Sequence, residues 1–249
     1  AHRGKIKGLV VCHTQLQNVA LADALMGGIA EVRVSDVTFF SCSLSPASLP
    51  SLTRLLQAGC LEILNISNQF QAVFEAGPDL TAFCHALRSS RLQALELRLH
   101  ALWRDLAAAG ELLAALVNHQ TLRELALGWN LDDDADDARR AAGEQLASLI
   151  THNSALQKLD LDGNRLGDAG LAPIFKALSH SSTLKELLFY SETISREFAR
   201  DVILSAVRAN TSLRTLDFDR YGMPLPELVE AQTIVAARTR PDAGAIAAA

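Results

Sequence analysis

The amino-acid sequence predicts an α/β solenoid, in which repeated strand–turn–helix units stack so that their strands form one parallel sheet. Three observations predict it. A strand-and-turn phrase at residues 156–166 is followed at once by a helical phrase. Variants of the pair recur at nearly constant spacing along the chain. Of the 249 residues, 49% are hydrophobic and only 5% aromatic, so aliphatic side chains must fill a long continuous core.

The phrase Leu156-Gln-Lys-Leu159-Asp-Leu161-Asp-Gly-Asn164-Arg-Leu166 reads L-x-x-L-x-L-x-x-N-x-L, the strand and turn of a leucine-rich repeat. Leu159 and Leu161 alternate at period 2 and leave one face of a short strand together. Asn164 bends the chain, because its carboxamide can satisfy backbone groups of neighbouring turns. Leu171, Ile174, Phe175 and Leu178 then fall at i, i+3, i+4 and i+7, one face of a helix. Such a unit cannot bury its apolar side alone, so it requires copies of itself.

Eight units align on the first apolar residue of the phrase: Ile6, Val34, Leu61, Leu92, Leu122, Leu156, Leu184 and Leu213. The intervals are 28, 27, 31, 30, 34, 28 and 29 residues. The first helix is read through Leu21 and Leu25, and the second through Leu49, Leu52, Leu55 and Leu56. Leu80, Phe83, Cys84 and Leu87 follow in the third, and Leu112, Leu113 and Leu116 in the fourth. In the fifth, the longest, the excess is assigned to a loop, Asp132 to Asp137, ahead of a helix on Leu146, Leu149 and Ile150. That acidic run lacks the D-x-D-x-D-G spacing of a calcium loop and is read as solvated or as a charged contact loop. A last stretch with Leu225, Leu228, Val229 and Val235 is expected to cover the open end, giving one domain over 1–240 and a frayed tail over 241–249.

The bends are regular only in the middle. Asn130 and Asn164 hold the position there, whereas Thr14, Cys42, Gln69, His100, Glu192 and Tyr221 hold it elsewhere. Asn68 comes one residue early beside Gln69. Cys42 could be a thiol nucleophile or a bend residue, and no nearby His or acid favours the former. His100 is read as a hydrogen-bonding substitute rather than a metal ligand. His119, His152 and His180 all follow helices and are read as polar helix-end residues.

Net charge is −5, with no basic stripe, which argues against nucleic acid as a partner. Arginine (18) far outnumbers lysine (5). Cys12, Cys42, Cys60 and Cys84 form no C-x-x-C pair and no secreted framework, so reduced thiols and an intracellular setting are expected. No apolar run approaches the roughly 20 residues that span a bilayer. A first residue other than Met reads as a fragment, with any export signal or further domain lying outside it.

Four segments carry a shared phrase before the strand: Asn118-His-Gln-Thr-Leu122, Asn153-Ser-Ala-Leu156, Ser181-Ser-Thr-Leu184 and Asn210-Thr-Ser-Leu213. With the 28–29-residue register and Asn164-Arg-Leu-Gly-Asp-Ala-Gly170, the chain resembles the ribonuclease-inhibitor-like class of leucine-rich repeats over residues 5–238. The resemblance implies a horseshoe with a parallel sheet on the concave face and helices on the convex face. Members of that class include intracellular immune receptors, bacterial type III effectors and Ran GTPase-activating proteins. The irregular bends depart from it towards both ends.

In such units the strand positions between the leucines face the concavity. One column reads Val10, Thr38, Asn65, Glu96, Ala126, Asp160, Leu188 and Asp217. Two residues on stand Cys12, Phe40, Ser67, Arg98, Gly128, Asp162, Tyr190 and Asp219, with Trp129 beside Gly128. Trp129, Asp160, Asp162, Tyr190, Asp217 and Asp219, with Glu96 and Arg98, are the candidate partner-binding residues. Exposed Trp and Tyr anchor interfaces, and an acidic surround steers a basic partner. The alternatives are packing of the two aromatics on adjoining turns and a row of solvated carboxylates. No hydrolase, zinc-protease or phosphate-loop motif is present. The expectation is therefore a non-catalytic protein-recognition module, needing no cofactor, metal or membrane. Within that, the recognition part of a bacterial effector is favoured. The alternative is the substrate arm of a ubiquitin ligase, or a Ran-type GTPase activator.

Overall fold

A computed structural model of the chain describes residues 6–69, 72–98, 101–131, 135–190, 193–218 and 225–239. Among these, eight strands form one sheet in chain order, every neighbouring pair parallel. They are β1 (Gly8–Cys12), β2 (Asp36–Phe40), β3 (Ile63–Ser67), β4 (Ala94–Arg98), β5 (Glu124–Ala126), β6 (Lys158–Asp160), β7 (Glu186–Leu188) and β8 (Thr215–Asp217). Each begins two residues after the unit start read from the sequence. The pairing register preserves that offset from Leu9 opposite Val37 to Leu187 opposite Leu216.

Helices return the chain from each strand to the next: α1 (Val19–Val32), α2 (Leu49–Gln57), α3 (Pro78–Arg88), α4 (Leu106–Val117), α5 (Asp136–His152) and α6 (Gly167–Leu178). The seventh unit breaks into α7 (Arg196–Phe198), a π-helical turn over Ala199–Ile203, and α8 (Leu204–Ala209). α9 (Pro226–Ala237) follows the last strand. Asn18 and Asp105 cap α1 and α4 by accepting first-turn N–H bonds. The chosen helix leucines from the second to the sixth unit are buried in one continuous core with the strand leucines.

Two expectations need correction. Leu21 is 43% exposed and Leu25 only partly buried, because α1 turns Ala22, Met26 and Ile29 to the core instead. The extra length of the fifth unit is also not all loop. Asp136 and Asp137 form the first turn of α5, which at 17 residues outlasts the 12 of α6. Acidic residues there complement the positive helix end. Residues 132–134, the bends at His100, Glu192 and Tyr221, and the tail beyond 240 lie outside the described residues.

Two polar ladders stitch units together where carbonyls would otherwise be buried unpaired. At five of the described bends, one left-handed residue turns the chain: His13 (φ 52), Ser41 (φ 53), Asn68 (φ 54), Trp129 (φ 60) and Gly163 (φ 72). Thr14 then bonds Cys12 O within its own unit, whereas at the other four the next residue donates to the preceding unit. Asn130 Nδ2 reaches Leu97 O at 2.6 Å, and Asn164 Nδ2 reaches Leu127 O at 3.0 Å while its Oδ1 accepts Asn130 N–H at 2.8 Å. Gln69 does the same work, bonding Phe39 O at 3.4 Å and accepting Leu44 N–H at 3.0 Å. Asn68 is therefore not a misplaced ladder residue; it takes the left-handed turn that Asn tolerates. Cys42, fully buried, gives its S–H to Val11 O at 3.1 Å. Burial raises its pKa, so the thiol is held protonated and structural.

The second ladder lies where each helix leads into the next strand. Asn153 Nδ2 donates to Leu116 O at 2.6 Å, and its Oδ1 accepts the Leu156 N–H at 2.7 Å. Asn210 repeats this with Leu178 O and the Leu213 N–H, at 2.7 and 2.8 Å. His119 holds the same place, its Nδ1 accepting the Leu122 N–H at 3.1 Å. It is 1% exposed, unlike the exposed His152 and His180, so the three histidines are not equivalent.

Candidate functional site

The open face of the sheet carries the positions between core leucines, since alternate side chains leave opposite faces. It divides into three zones. Around β1 to β3 it is an apolar shelf, with Val10 65%, Phe40 40% and Ile63 37% exposed. The ring of His13 meets that of Phe40 edge-on, at a centroid distance of 6.0 Å.

The middle zone is charged and internally paired. Arg98 Nε lies 2.7 Å from Glu96 Oε1, and its Nη2 lies 2.6 Å from Asp160 Oδ2, so one guanidinium joins β4 to β6. Gly128 permits the crossing, because a Cβ there would stand 2.7 Å from Arg98 Nη1. Burial works against the Arg98 charge, but the Asp160 and Glu96 carboxylates outweigh it and raise its pKa. Lys158 stands 4.0 Å from Glu124 and 3.9 Å from Glu186, separations at which exposed pairs contribute little. Thr38, Asn65, Ala94, Glu96, Ala126 and Asp160 help line a groove of about 170 Å³ across this zone.

The third zone lies on the last units. Tyr190 donates its hydroxyl to Asp217 Oδ2 at 2.5 Å, tying the seventh unit to β8. Asp162 accepts the Trp129 N–H on its carbonyl at 2.8 Å, and its own N–H bonds Asp160 Oδ1 at 3.0 Å. Trp129 sits at a bend rather than on a strand. Its indole lies against Gly163, where a Cβ would come within 2.4 Å of the ring, yet 45% of the residue stays exposed.

Of the residues chosen from sequence, the structure joins Glu96, Arg98 and Asp160 in one network, and Tyr190 with Asp217 in another. Asp162 and Trp129 meet through the backbone, and Asp219 lies outside the described residues. Two of the four aspartates are not simply solvated, because Asp160 is paired with Arg98 and Asp217 accepts the Tyr190 hydroxyl. Packing of Trp129 on the adjoining turn and its exposure both hold. Sequence reasoning passed over the shelf. Val10 and Phe40 stand in the two concave columns, and their apolar character was the available signal, whereas Ile63 and Lys158 sit at the first strand position, outside both columns. Among the described residues, no three His, Cys, Asp or Glu side chains are placed to hold a metal ion, and no helix is long and apolar enough to cross a membrane.

Comparison with known proteins agrees with this geometry. A family profile described as "Leucine Rich repeat" matches residues 152–175, within the sixth unit and its approach. The chain is 30% identical over 220 residues to the ribonuclease inhibitor of Sus scrofa, which covers 76% of this chain and 46% of that one. It is 34% identical over 105 residues to the protein phosphatase 1 regulatory subunit 37 homolog of Caenorhabditis elegans, covering 40% of this chain and 10% of that one. The fold matches the solved structure titled "Leiomodin-1 Actin-Binding Site 2 (ABS2)" with a TM-score of 0.51 and 18% identity, over 66% of this chain and 91% of the other. The chain is built of leucine-rich repeats and is similar in sequence to the ribonuclease inhibitor. It spans less than half the length of the curated relatives it matches here.

Proposed function

We propose that the open sheet face holds a partner protein and catalyses no reaction on it. The observation that carries this is the flanking of a paired charge network by large apolar side chains left in solvent, Val10 and Phe40 on one side and Trp129 on the other. Apolar anchors beside charges that are already paired suit docking, because the anchors supply the desolvation energy and the charges set register. The names of two relatives, one an inhibitor of ribonuclease and one a regulatory subunit of protein phosphatase 1, are in keeping with recognition as the task. Glu96, Arg98, Trp129, Asp160, Asp162, Tyr190, Asp217 and Asp219 belong to the proposed surface, with Val10, Phe40 and Ile63 added. A basic partner remains the reading for the C-terminal zone. The finer proposal, the recognition part of a bacterial effector, rests on the short, irregular, alanine- and arginine-rich array alone.

The test is binding calorimetry with two probes, a ribonuclease and the catalytic subunit of protein phosphatase 1. Whichever binds should lose at least about tenfold in affinity to the Trp129→Ala/Tyr190→Ala double variant, equivalent to ~1.4 kcal/mol. Unchanged affinity would move the surface elsewhere. Turnover of a bound probe, or accelerated GTP hydrolysis by a Ran-type GTPase, would remove the non-catalytic reading.

A further inference from the structure

The groove across the middle of the open face lies on β2 to β6, with a further strand of the sheet on each side of it. At about 170 Å³ it is small beside the roughly 300–1,000 Å³ of pockets that hold whole ligands, and it suits a single side chain. Two alanines make its floor. Ala94 on β4 stands between Ile63 and Glu124, and Ala126 on β5 stands between Glu96 and Asp160. Longer side chains thus wall a low point on both sides.

Acceptors outnumber donors around that low point. Along β4 to β7 the carboxylates of Glu96, Glu124, Asp160 and Glu186 share two cations, Arg98 and Lys158. Arg98 is committed to Glu96 Oε1 and Asp160 Oδ2, and the other Asp160 oxygen takes the Asp162 N–H. Lys158 comes no nearer than 3.9 Å to either glutamate, and Glu96 keeps 35% of its side chain in solvent. Opposite Glu96 on β3 stands Asn65, whose Oδ1 is buried and has no hydrogen-bond partner among the described residues. A buried acceptor left unmet is destabilising, so Asn65 weakens the fold that carries it. Its terminal torsion is soft, and the amide can turn to meet a donor that enters the groove.

We propose that this groove receives one arginine side chain of the docked partner, an inference that rests on the docking role given above to the open face. The arginine methylenes lie on Ala94 and Ala126, and the guanidinium lies between Asn65 and Glu96 and donates to both. These two acceptors belong to adjacent strands, about 4.8 Å apart. A planar guanidinium holds its donors in a fixed fork and spans such a pair, whereas a lysine ammonium is a compact point charge. An acidic occupant would add to an excess of negative charge. An apolar one would leave Asn65 unmet.

The test is an NMR titration of the whole 249-residue chain, labelled with nitrogen-15, against Nα-acetyl-arginine methylamide and its lysine and citrulline counterparts. Arginine should give saturable shifts at Asn65, Ala94 and Ala126, lysine weaker ones, and the neutral citrulline none. Glu96→Gln should weaken arginine binding at least about tenfold, since a charge-assisted bond is lost. Ala126→Leu fills the floor and should abolish uptake with its circular dichroism unchanged. Asn65→Ala should weaken uptake while the melt stays level or rises, because an unmet buried acceptor is removed. A lower melt with unchanged affinity would make Asn65 structural and overturn the proposal. So would the lack of a saturable shift, equal binding of citrulline, or shifts centred on Trp129. A ribonuclease or phosphatase that loses affinity to Trp129→Ala/Tyr190→Ala but not to Ala126→Leu would also overturn it, and would leave the docking reading intact.

Discussion

In the fifth and sixth units the bend is closed by Asn130 and Asn164, and in the second and third by Cys42 and Gln69. The positions match in register, and each side chain aims a donor at the carbonyl of the preceding strand. The chemistry differs in quality. Asn164 is both donor and acceptor, with three bonds of 2.8 to 3.0 Å. Gln69 reaches through one more methylene and ends 3.4 Å from Phe39 O, while Cys42 offers a weak S–H. The comparison teaches that the solenoid specifies where a buried donor must sit, and tolerates several side chains that can place one.

Four experiments break or sharpen that contrast. The largest effect is expected from Asn164→Ala, which strands the buried Leu161 carbonyl and the Asn130 N–H and leaves Leu127 O to Asn130 Nδ2 alone. Two unmet buried backbone groups and one weakened carbonyl should together cost about 3 kcal/mol. For a chain of this size that lowers the melting midpoint by roughly 6–12 °C. Next is Gly163→Ala, at the neighbouring left-handed bend. Its φ of 72 suits glycine, and the new Cβ would meet the Trp129 ring, so a loss above about 1 kcal/mol is expected, with a change in Trp129 fluorescence.

A smaller effect is expected from acid at His119. Burial lowers its pKa below 6.5 in the folded chain, so the unfolded chain binds the proton first as pH falls. The stability linked to this group is whole above pH 6.5 and declines on acidification below it. His119→Asn, the residue found at positions 153 and 210, should remove that share of the decline in urea titrations at pH 7 and pH 5. Cys42→Ala should cost least, about 1 kcal/mol, since one weak donor and one sulfur are lost. Equal losses for Cys42→Ala and Asn164→Ala would end the contrast between the two regions.

Much of the fold was legible because leucine spacing reports strand position directly. All eight strands start two residues after the aligned apolar residue, including β1 and β2, whose phrases carry leucine only at Leu9, Leu16 and Leu44. What was misread has a common cause. The α1 sequence is apolar on two stripes, and periodicity alone could not say that Ala22, Met26 and Ile29 would face inward rather than Leu21 and Leu25. His119 was grouped with His152 and His180 by its place after a helix, although its offset of three from Leu122 matches Asn153 and Asn210. That offset was the available signal.

The candidate site was legible only as a set of positions. Columns of concave residues followed from the repeat, yet their state did not, because Arg98 and Asp160 are 62 residues apart and meet across an intervening strand. Repeat number, strand register and the sidedness of the sheet were settled by the sequence itself, since each depends on local spacing that every unit states again. Which carboxylates are paired and which tryptophan face stays wet were decided only by tertiary structure. Those properties depend on distances between side chains of different units, and no period along the chain encodes them.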